Sequence, residues 1–250
     1  MDLSTYLVTD PGLSGSRGVL GVIEAAVAGG VSIVQIRDKN ASTRELFELL
    51  LAASLLTVGR CALLIDDRVD VFLAARAAGA TVDGVHVGQA DLPAHAVRAL
   101  IGPDALLGLT ANQPAHLHEV ETLAPGTVDY LGVGVIRPTF TKKDHPQPLG
   151  VEGFARLAAT TSLPCVAIGG VTLADTVALR AAGAAGLAVV SAICAASDPQ
   201  QATRAFVTAW RRRVDPPIVV LDPVMVATSG GPADGPIGRC SGGSDVVPAA

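Results

Sequence analysis

Gln35, Arg37 and Lys39 alternate through the run Ile33-Val-Gln-Ile-Arg-Asp-Lys39, so that an amide, a guanidinium and an ammonium face one side of an extended chain. That set suits a pyrophosphate, because the Arg fork binds oxyanions bidentately and Lys adds a compact charge. The competing reading is a strand exit whose charges are simply solvated. A second set closes two other apolar runs, Ala62-Leu-Leu-Ile-Asp-Asp67 and Val85-His-Val-Gly-Gln-Ala-Asp91. If these are adjacent strands, Asp67 and Asp91 come together. Two like charges a few Å apart repel by roughly 4 kcal/mol at an effective dielectric near 20, so the pair calls for a cation. Magnesium fits, since it accepts one or two carboxylates and fills its octahedron with water and phosphate oxygens. Read singly, Asp67 would cap a helix from Arg68 and Asp91 one after Pro93. The paired placement favours the metal.

Two further segments concentrate polar groups. Arg137-Pro-Thr-Phe-Thr-Lys-Lys-Asp144 offers the hydroxyls of Thr139 and Thr141 and the lysine pair headed by Lys142, though alone it reads equally well as an ordinary polar loop. Ile168-Gly-Gly-Val171 and Val189-Val-Ser191 each end an apolar run before a helix start. Such turns present backbone amides to a phosphate, or they mean only tight strand-to-helix packing. The first reading gives two anion sites: a pyrophosphate with magnesium near strands two to four, and a monophosphate near strands seven and eight.

The elements that must position these groups follow from periodicity and punctuation. Strands are expected near 6–9, 33–36, 62–65, 84–87, 106–109, 130–133, 165–168 and 186–189. Helices are expected over 19–28, 43–57, 69–78, 94–101, 115–123, 151–159, 174–182 and 200–212, several with Gly after the last turn. Eight βα units with no Gly-rich dinucleotide fingerprint after the first strand favour an α/β fold of the (β/α)8 TIM-barrel type over a doubly wound sheet. The barrel should occupy residues 1–213. Residues 214–250 then form a short tail that from Gly231 onward is mostly Gly, Pro, Ala, Ser and Asp, too poor in apolar area to offset its ordering entropy, so disorder is expected there.

At 250 residues the chain is long enough for one large core, with two average domains the alternative. Hydrophobic residues at 50% against 16% charged exclude a disordered or nucleic-acid-coating chain, and the net charge of −5 offers polyanions no bulk attraction. An anionic ligand must therefore be held by local cations, metal or backbone amides. Cys61, Cys165, Cys194 and Cys240 have no zinc-type spacing and read as reduced, mostly buried thiols. The strand-like Thr5-Tyr-Leu-Val-Thr9 follows Met1 too closely for a signal peptide, so a cytoplasmic location is expected. The segment 181–196 is too short and too interrupted by Gly and Ser for a membrane span. Small-molecule substrates are the expected partners, with neither nucleic acid nor membrane, and a homo-oligomer is left open.

Taken together and in order, these motifs resemble the thiamine-phosphate synthase family from Met1 to about Arg213. The family's Gln-x-Arg-x-Lys stands as Gln35 to Lys39, its Asn-Asp as Asp66-Asp67, and its Gly-x-His-x-Gly-Gln-x-Asp as Gly84 to Asp91. Its Thr-x-Thr-Lys stands as Thr139 to Lys142, its Gly-Gly as Gly169-Gly170, and its hydrophobic-Ser pair as Val190-Ser191. The resemblance implies a transferase that joins an aminopyrimidine diphosphate to a thiazole monophosphate, releasing pyrophosphate by a magnesium-assisted dissociative route. It implies Asp67 and Asp91 as metal ligands. Gln35, Arg37, Lys39 and Lys142 would hold the pyrimidine diphosphate, with Arg37, Lys39 and Lys142 neutralising the leaving group. Thr139, Thr141, Gly170, Val190 and Ser191 would hold the thiazole phosphate. Two positions depart from the pattern: Asp66 replaces Asn, which removes an amide donor and adds negative charge, and Thr110 stands where the family has Ser, keeping the hydroxyl.

Two other functions compete: a thiazole tautomerase of the same barrel lineage, which needs no magnesium, and a nonenzymatic thiamine-phosphate-binding barrel. Asp67, Asp91 and Lys142 argue against the first. The tail stretch Val219-Val-Leu-Asp-Pro-Val-Met-Val-Ala-Thr-Ser-Gly230 resembles an internal piece of hydroxymethylpyrimidine phosphate kinase, and is too short to make a working kinase.

Overall fold

The structure, a computed structural model, describes residues 1–139 and 147–212. Thr141, Lys142, Cys240, the kinase-like stretch and the expected disordered tail lie outside the described residues. Contacts gather the chain into a unit over Met1–Val214, and a second grouping, Asp215–Ala250, falls wholly beyond the described part.

Eight parallel strands, β1 (Thr5–Val8), β2 (Ile33–Ile36), β3 (Ala62–Asp66), β4 (Gly84–Val87), β5 (Leu106–Thr110), β6 (Tyr130–Gly134), β7 (Cys165–Ile168) and β8 (Gly186–Val189), close in chain order into a barrel. Closure is made where Thr5 pairs with Leu187 and Tyr6 with Ala188. Because helices cover the outside and side chains fill the inside, each strand is buried on both faces, which explains the near-continuous apolar runs. Tyr6 and Val8 point inward with Ile33, Leu64, Tyr130, Val166 and Ala188. The alternate positions, Leu7, Val34, Leu63, Ile65 and Leu131, pack outward under the helices.

The helices are α1 (Pro11–Ser14), α2 (Gly18–Gly29), α3 (Thr43–Thr57), α4 (Val69–Ala77), α5 (Ala94–Ile101), α6 (Pro114–Glu121), α7 (Gly150–Ala158), α8 (Thr176–Ala181), α9 (Ser191–Cys194) and α10 (Pro199–Arg211). The eight long ones meet the sequence expectation within a few residues, except that the first turn expected of α8 is a separate 3-10 turn over Leu173–Asp175. The short helices α1 and α9 have too few residues to show a period. Helix α1 starts from a cap, Asp10 Oδ1 accepting from Leu13 N at 3.0 Å with Pro11 following, whereas α9 starts after Val190 without one. Helix α3 begins with a full capping box, Ser42 Oγ accepting from Glu45 N at 3.2 Å and Glu45 Oε2 from Ser42 N at 2.7 Å. The ring of helices closes where α10 lies on α2, and the approach depends on Gly29: a Cβ there would sit 2.7 Å from Gln200 O and Thr203 Cβ.

One expectation of position is corrected. Strand β2 ends at Ile36, so Arg37 and Lys39 stand in the following loop rather than on the strand. The ladder stops because Arg37 N turns to donate to Thr9 Oγ1 at 3.0 Å, and Asp38 Oδ1 then accepts from Asn40 N and Ala41 N, bending the chain toward α3. Among the described residues, Cys61, Cys165 and Cys194 are free thiols, each pushed up to about 11 by burial, and no helix is long and apolar enough to cross a membrane.

Candidate active site

The C-terminal ends of the strands open on a cavity of about 1090 Å³, counting its open mouth, lined by Gln35, Arg37, Lys39, Asp66, Asp67 and Asp91 on one wall. Loops at this end of a parallel barrel are free to carry chemistry because the strands and helices below them carry the stability.

On this wall the charges interlock. Asp66 Oδ2 lies 3.3 Å from Arg37 Nε and 3.3 Å from Lys39 Nζ, so the residue that replaces the family's Asn is held by both cations. Lys39 Nζ also pairs with Asp67 Oδ2. Asp67 adopts a left-handed backbone, φ 59°, which short polar residues tolerate better than most. Its amide donates to His86 O at 2.8 Å across the β3–β4 junction. Asp91 Oδ2 accepts from Gly88 N at 2.8 Å, which fixes the loop after β4. Neither carboxylate caps a helix: α4 starts from Arg68 and α5 from Pro93, both without a side-chain capping bond. The capping alternative therefore fails for both residues. Among the described residues this wall carries two cations, Arg37 and Lys39, against three carboxylates, Asp66, Asp67 and Asp91.

The opposite wall is built from Thr139, Ile168, Gly169, Ala188 and Val190. Gly170 and Ser191 do not line the cavity. Gly169 (φ 88°) and Gly170 (φ 67°) turn the chain after β7 in a conformation open chiefly to glycine. A Cβ on Gly169 would strike the Val135 side chain, and one on Gly170 would lie 2.8–3.0 Å from Arg137 Cβ, Arg137 O and Pro138 O. Tight packing is thus a demonstrated reason for both glycines. The segment they pack against is pinned by Arg137, whose guanidinium donates to Asp175 Oδ1 at 2.5 Å. That hydrogen bond first, and then the bonds from Thr172, hold the Asp175 carboxyl down at about 2.

Between the walls, Tyr6, His86, Thr110 and Tyr130 form the floor, with Asn112 beside them. Of these, sequence reasoning singled out Thr110 and missed the rest as site residues. A usable signal existed: a Tyr or His within a doubly buried strand must find a polar partner. Burial raises the Tyr6 phenol above its ordinary range, and nearby Asp66 adds to this; Tyr130 is raised likewise. Both therefore stay protonated. Asn112 Oδ1 is buried and makes no hydrogen bond among the described residues, an acceptor a ligand could satisfy. No cluster of three or more His, Cys, Asp or Glu among the described residues is arranged to cage a metal by itself.

Residues 5–193 match the family described as thiamine monophosphate synthase (TMP-TENI). The thiamine-phosphate synthase of Azorhizobium caulinodans is 48% identical over 208 residues, 83% of this chain and 94% of that protein. That of Psychrobacter sp. is 41% identical over 205 residues, 82% and 94% of the two chains. Among solved structures, the thiamine phosphate pyrophosphorylase of Pyrococcus furiosus superposes with a TM-score of 0.73 at 30% identity, covering 84% of this chain and 96% of that one. The orotidine 5'-phosphate decarboxylase of Pyrococcus horikoshii, at 15% identity and TM-score 0.55 over 83% of this chain and all of that one, shares the fold alone.

Proposed function

The chain belongs to the thiamine monophosphate synthase family and is, like those relatives, a transferase of thiamine biosynthesis that makes thiamine phosphate; from that premise we propose its substrates and its mechanism. The substrates are 4-amino-2-methyl-5-(diphosphooxymethyl)pyrimidine and 4-methyl-5-(2-phosphoethyl)thiazole, and the products are thiamine phosphate and pyrophosphate. The observation that carries this reading is the paired Arg37 and Lys39 at the cavity mouth, facing a wall that ends in the Gly169-Gly170 turn.

In the proposed reaction the bond between the pyrimidine methylene and the diphosphate oxygen breaks first. The electron pair leaves with pyrophosphate, and the methylene cation is shared with the aminopyrimidine ring. The thiazole nitrogen then donates its lone pair to form the new C–N bond. No protein nucleophile is needed, because the thiazole nitrogen itself supplies the electron pair. Arg37 and Lys39 neutralise the departing oxygens, joined by Lys142 on the strength of the family resemblance; a donor aimed at developing charge contributes about 3 kcal/mol. Thr139, Thr141, Gly170, Val190 and Ser191 are assigned to the thiazole phosphate on the same resemblance. Holding both rings in one cavity supplies the orientation.

Among the described residues three carboxylates face two cations on this wall, so a bound diphosphate calls for further positive charge, which Lys142 and a metal would share. Asp67 and Asp91 are the oxygens we propose for magnesium, a metal that is commonly held by one or two carboxylates and otherwise keeps waters and takes phosphate oxygens. When bound, the metal supplies further neutralisation of the diphosphate. Asp66, sharing Arg37 and Lys39 with the incoming anion, raises the magnesium requirement relative to an Asn. The test is to incubate both substrates with and without magnesium and measure thiamine phosphate and pyrophosphate in equal amounts. Turnover undiminished by chelation, or product formed without pyrophosphate, refutes the mechanism. A tautomerase or a nonenzymatic binder would give neither product.

A further inference from the structure

Five side chains from five strands make one unbroken hydrogen-bonded series across the floor of the barrel. Gln35 Nε2 donates to Tyr6 OH at 2.8 Å, and Tyr6 OH meets Tyr130 OH at 2.8 Å. Tyr130 OH meets His86 Nδ1 at 3.0 Å, and His86 Nε2 meets Thr110 Oγ1 at 3.0 Å. All five line the cavity. The inner members are almost wholly buried, Tyr130 at 1%, Tyr6 at 2%, Gln35 at 4% and His86 at 8% exposure.

The strands are shaped for this series. A Cβ on Gly108 would collide with the Tyr130 ring and His86 Nδ1, and one on Gly132 would lie 3.0 Å from His86 Cε1. Both glycines lie within strands, at ordinary negative φ, where glycine weakens a sheet and calls for a reason. The reason here is room for the Tyr130–His86 contact.

A hydroxyl has one proton, so the series has a direction. Tyr6 receives the Gln35 amide proton, and the direction that gives every later proton an acceptor has Tyr6 donating to Tyr130 and Tyr130 to His86 Nδ1. With a single ring proton, His86 in that direction carries it on Nε2 and donates it to Thr110 Oγ1. The Thr110 proton is left to point elsewhere, and Thr110 opens on the cavity.

We propose that Tyr6, Tyr130 and His86 are positioning residues that fix the His86 tautomer and thereby present the Thr110 hydroxyl as a hydrogen-bond donor to an acceptor nitrogen of the N-heteroaromatic substrate. The proposal rests on the pyrimidine reading given above for the ligand, but its proton order is a property of the protein alone. Tyr6 and Tyr130 suit the role because phenols that stay protonated transmit orientation without carrying charge.

The test uses the full chain, free of substrate, with its histidines labelled with nitrogen-15. In the unaltered protein His86 should carry its proton on Nε2. Tyr130→Phe, which keeps the ring and removes only the hydroxyl, should shift His86 toward the Nδ1–H tautomer. Gln35→Glu at pH 8 turns the first donor into an acceptor and should do the same from three residues away along the series. In steady-state assays Tyr130→Phe and Tyr6→Phe should each lower kcat/KM for the pyrimidine diphosphate about 10-fold, the worth of one oriented hydrogen bond, and leave KM for the thiazole phosphate unchanged. Failure to form thiamine phosphate at all would sink the substrate reading while leaving the tautomer measurement decisive. A proton on Nδ1 in the unaltered protein, or an unchanged tautomer in both Tyr130→Phe and Gln35→Glu, overturns the proposal.

Discussion

At the N-terminal ends of the strands, Ser32, Asp83 and Asp129 stand immediately before β2, β4 and β6, and each bonds back to the start of the preceding strand. Ser32 Oγ accepts from Thr5 N at 3.1 Å, Asp83 Oδ2 from Leu63 N at 2.7 Å, and Asp129 Oδ2 from Leu107 N at 2.7 Å. Arg98 completes the last of these by donating to Asp129 Oδ2 at 2.7 Å and to the carbonyls of Thr127, Gly102 and Ala105. At the C-terminal ends, Asp66 and Asp67 face instead the movable cations Arg37 and Lys39, and Asp91 shares their cavity. The same side chain thus serves opposite ends in opposite ways. Where its oxygen meets a backbone amide of the sheet it completes the ladder, and where it meets a long side chain in a loop it can exchange that partner for a ligand.

The largest effect that would sharpen this contrast is expected at Asp91. Asp91→Asn keeps an oxygen for the Gly88 amide and removes the charge, so magnesium-dependent turnover should fall on the order of 10³-fold with the thermal midpoint nearly unmoved. A near-normal rate at low magnesium would show that Asp91 is not a metal ligand. Arg37→Ala should follow, lowering kcat/KM for the pyrimidine diphosphate about 10²-fold without weakening thiazole phosphate binding in a calorimetric titration. Equal losses for both substrates would erase the distinction between the two cavity walls.

At the other end the sign of the outcome reverses. Asp129→Ala strips acceptors from Leu107 N and Arg98, and should destabilise the barrel by about 2 kcal/mol in urea while leaving kcat per folded molecule unchanged. A rate loss without a stability loss would break the comparison. The smallest expected effect is the acid response of Asp175. Its carboxyl is held below its ordinary 3.8, at about 2, by Arg137 first and then by Thr172. A depressed folded pKa adds stability that is fully present above 3.8 and is lost as pH falls from there toward 2. Asp175→Asn should therefore flatten the dependence of the unfolding midpoint on pH within that window and leave it unaltered near neutrality.

Much of this molecule can be read from local order. Apolar runs of four or five residues separated by amphipathic segments specify eight βα units, because a strand buried on both faces and a helix covering it leave distinct periods in the sequence. The capping signals Ser42-x-x-Glu45 and Asp198-Pro199 place helix starts within a residue. The wall of Gln35, Arg37, Lys39, Asp66, Asp67 and Asp91 was also legible, since barrel topology sends every strand end to one rim.

The rest depended on which residues meet across the barrel. Tyr6 and Tyr130 are 124 positions apart and read, one at a time, as apolar filling; only closure of β1 onto β8 and inward pointing on β6 make them hydrogen-bonded neighbours. Asp67 and Asp91 had helix caps as local alternatives, and the alternative was removed by the left-handed turn at Asp67 and the Gly88 amide at Asp91. The place of Gly170 after the seventh strand was legible, whereas its close packing against Arg137 and Pro138 exists only in the folded barrel. The physical reason is the same in each case. Periodicity and capping are set by interactions within a few residues, which a sequence displays directly. A side chain's partner across a closed sheet is set by register and packing, and these exist only once the barrel has formed.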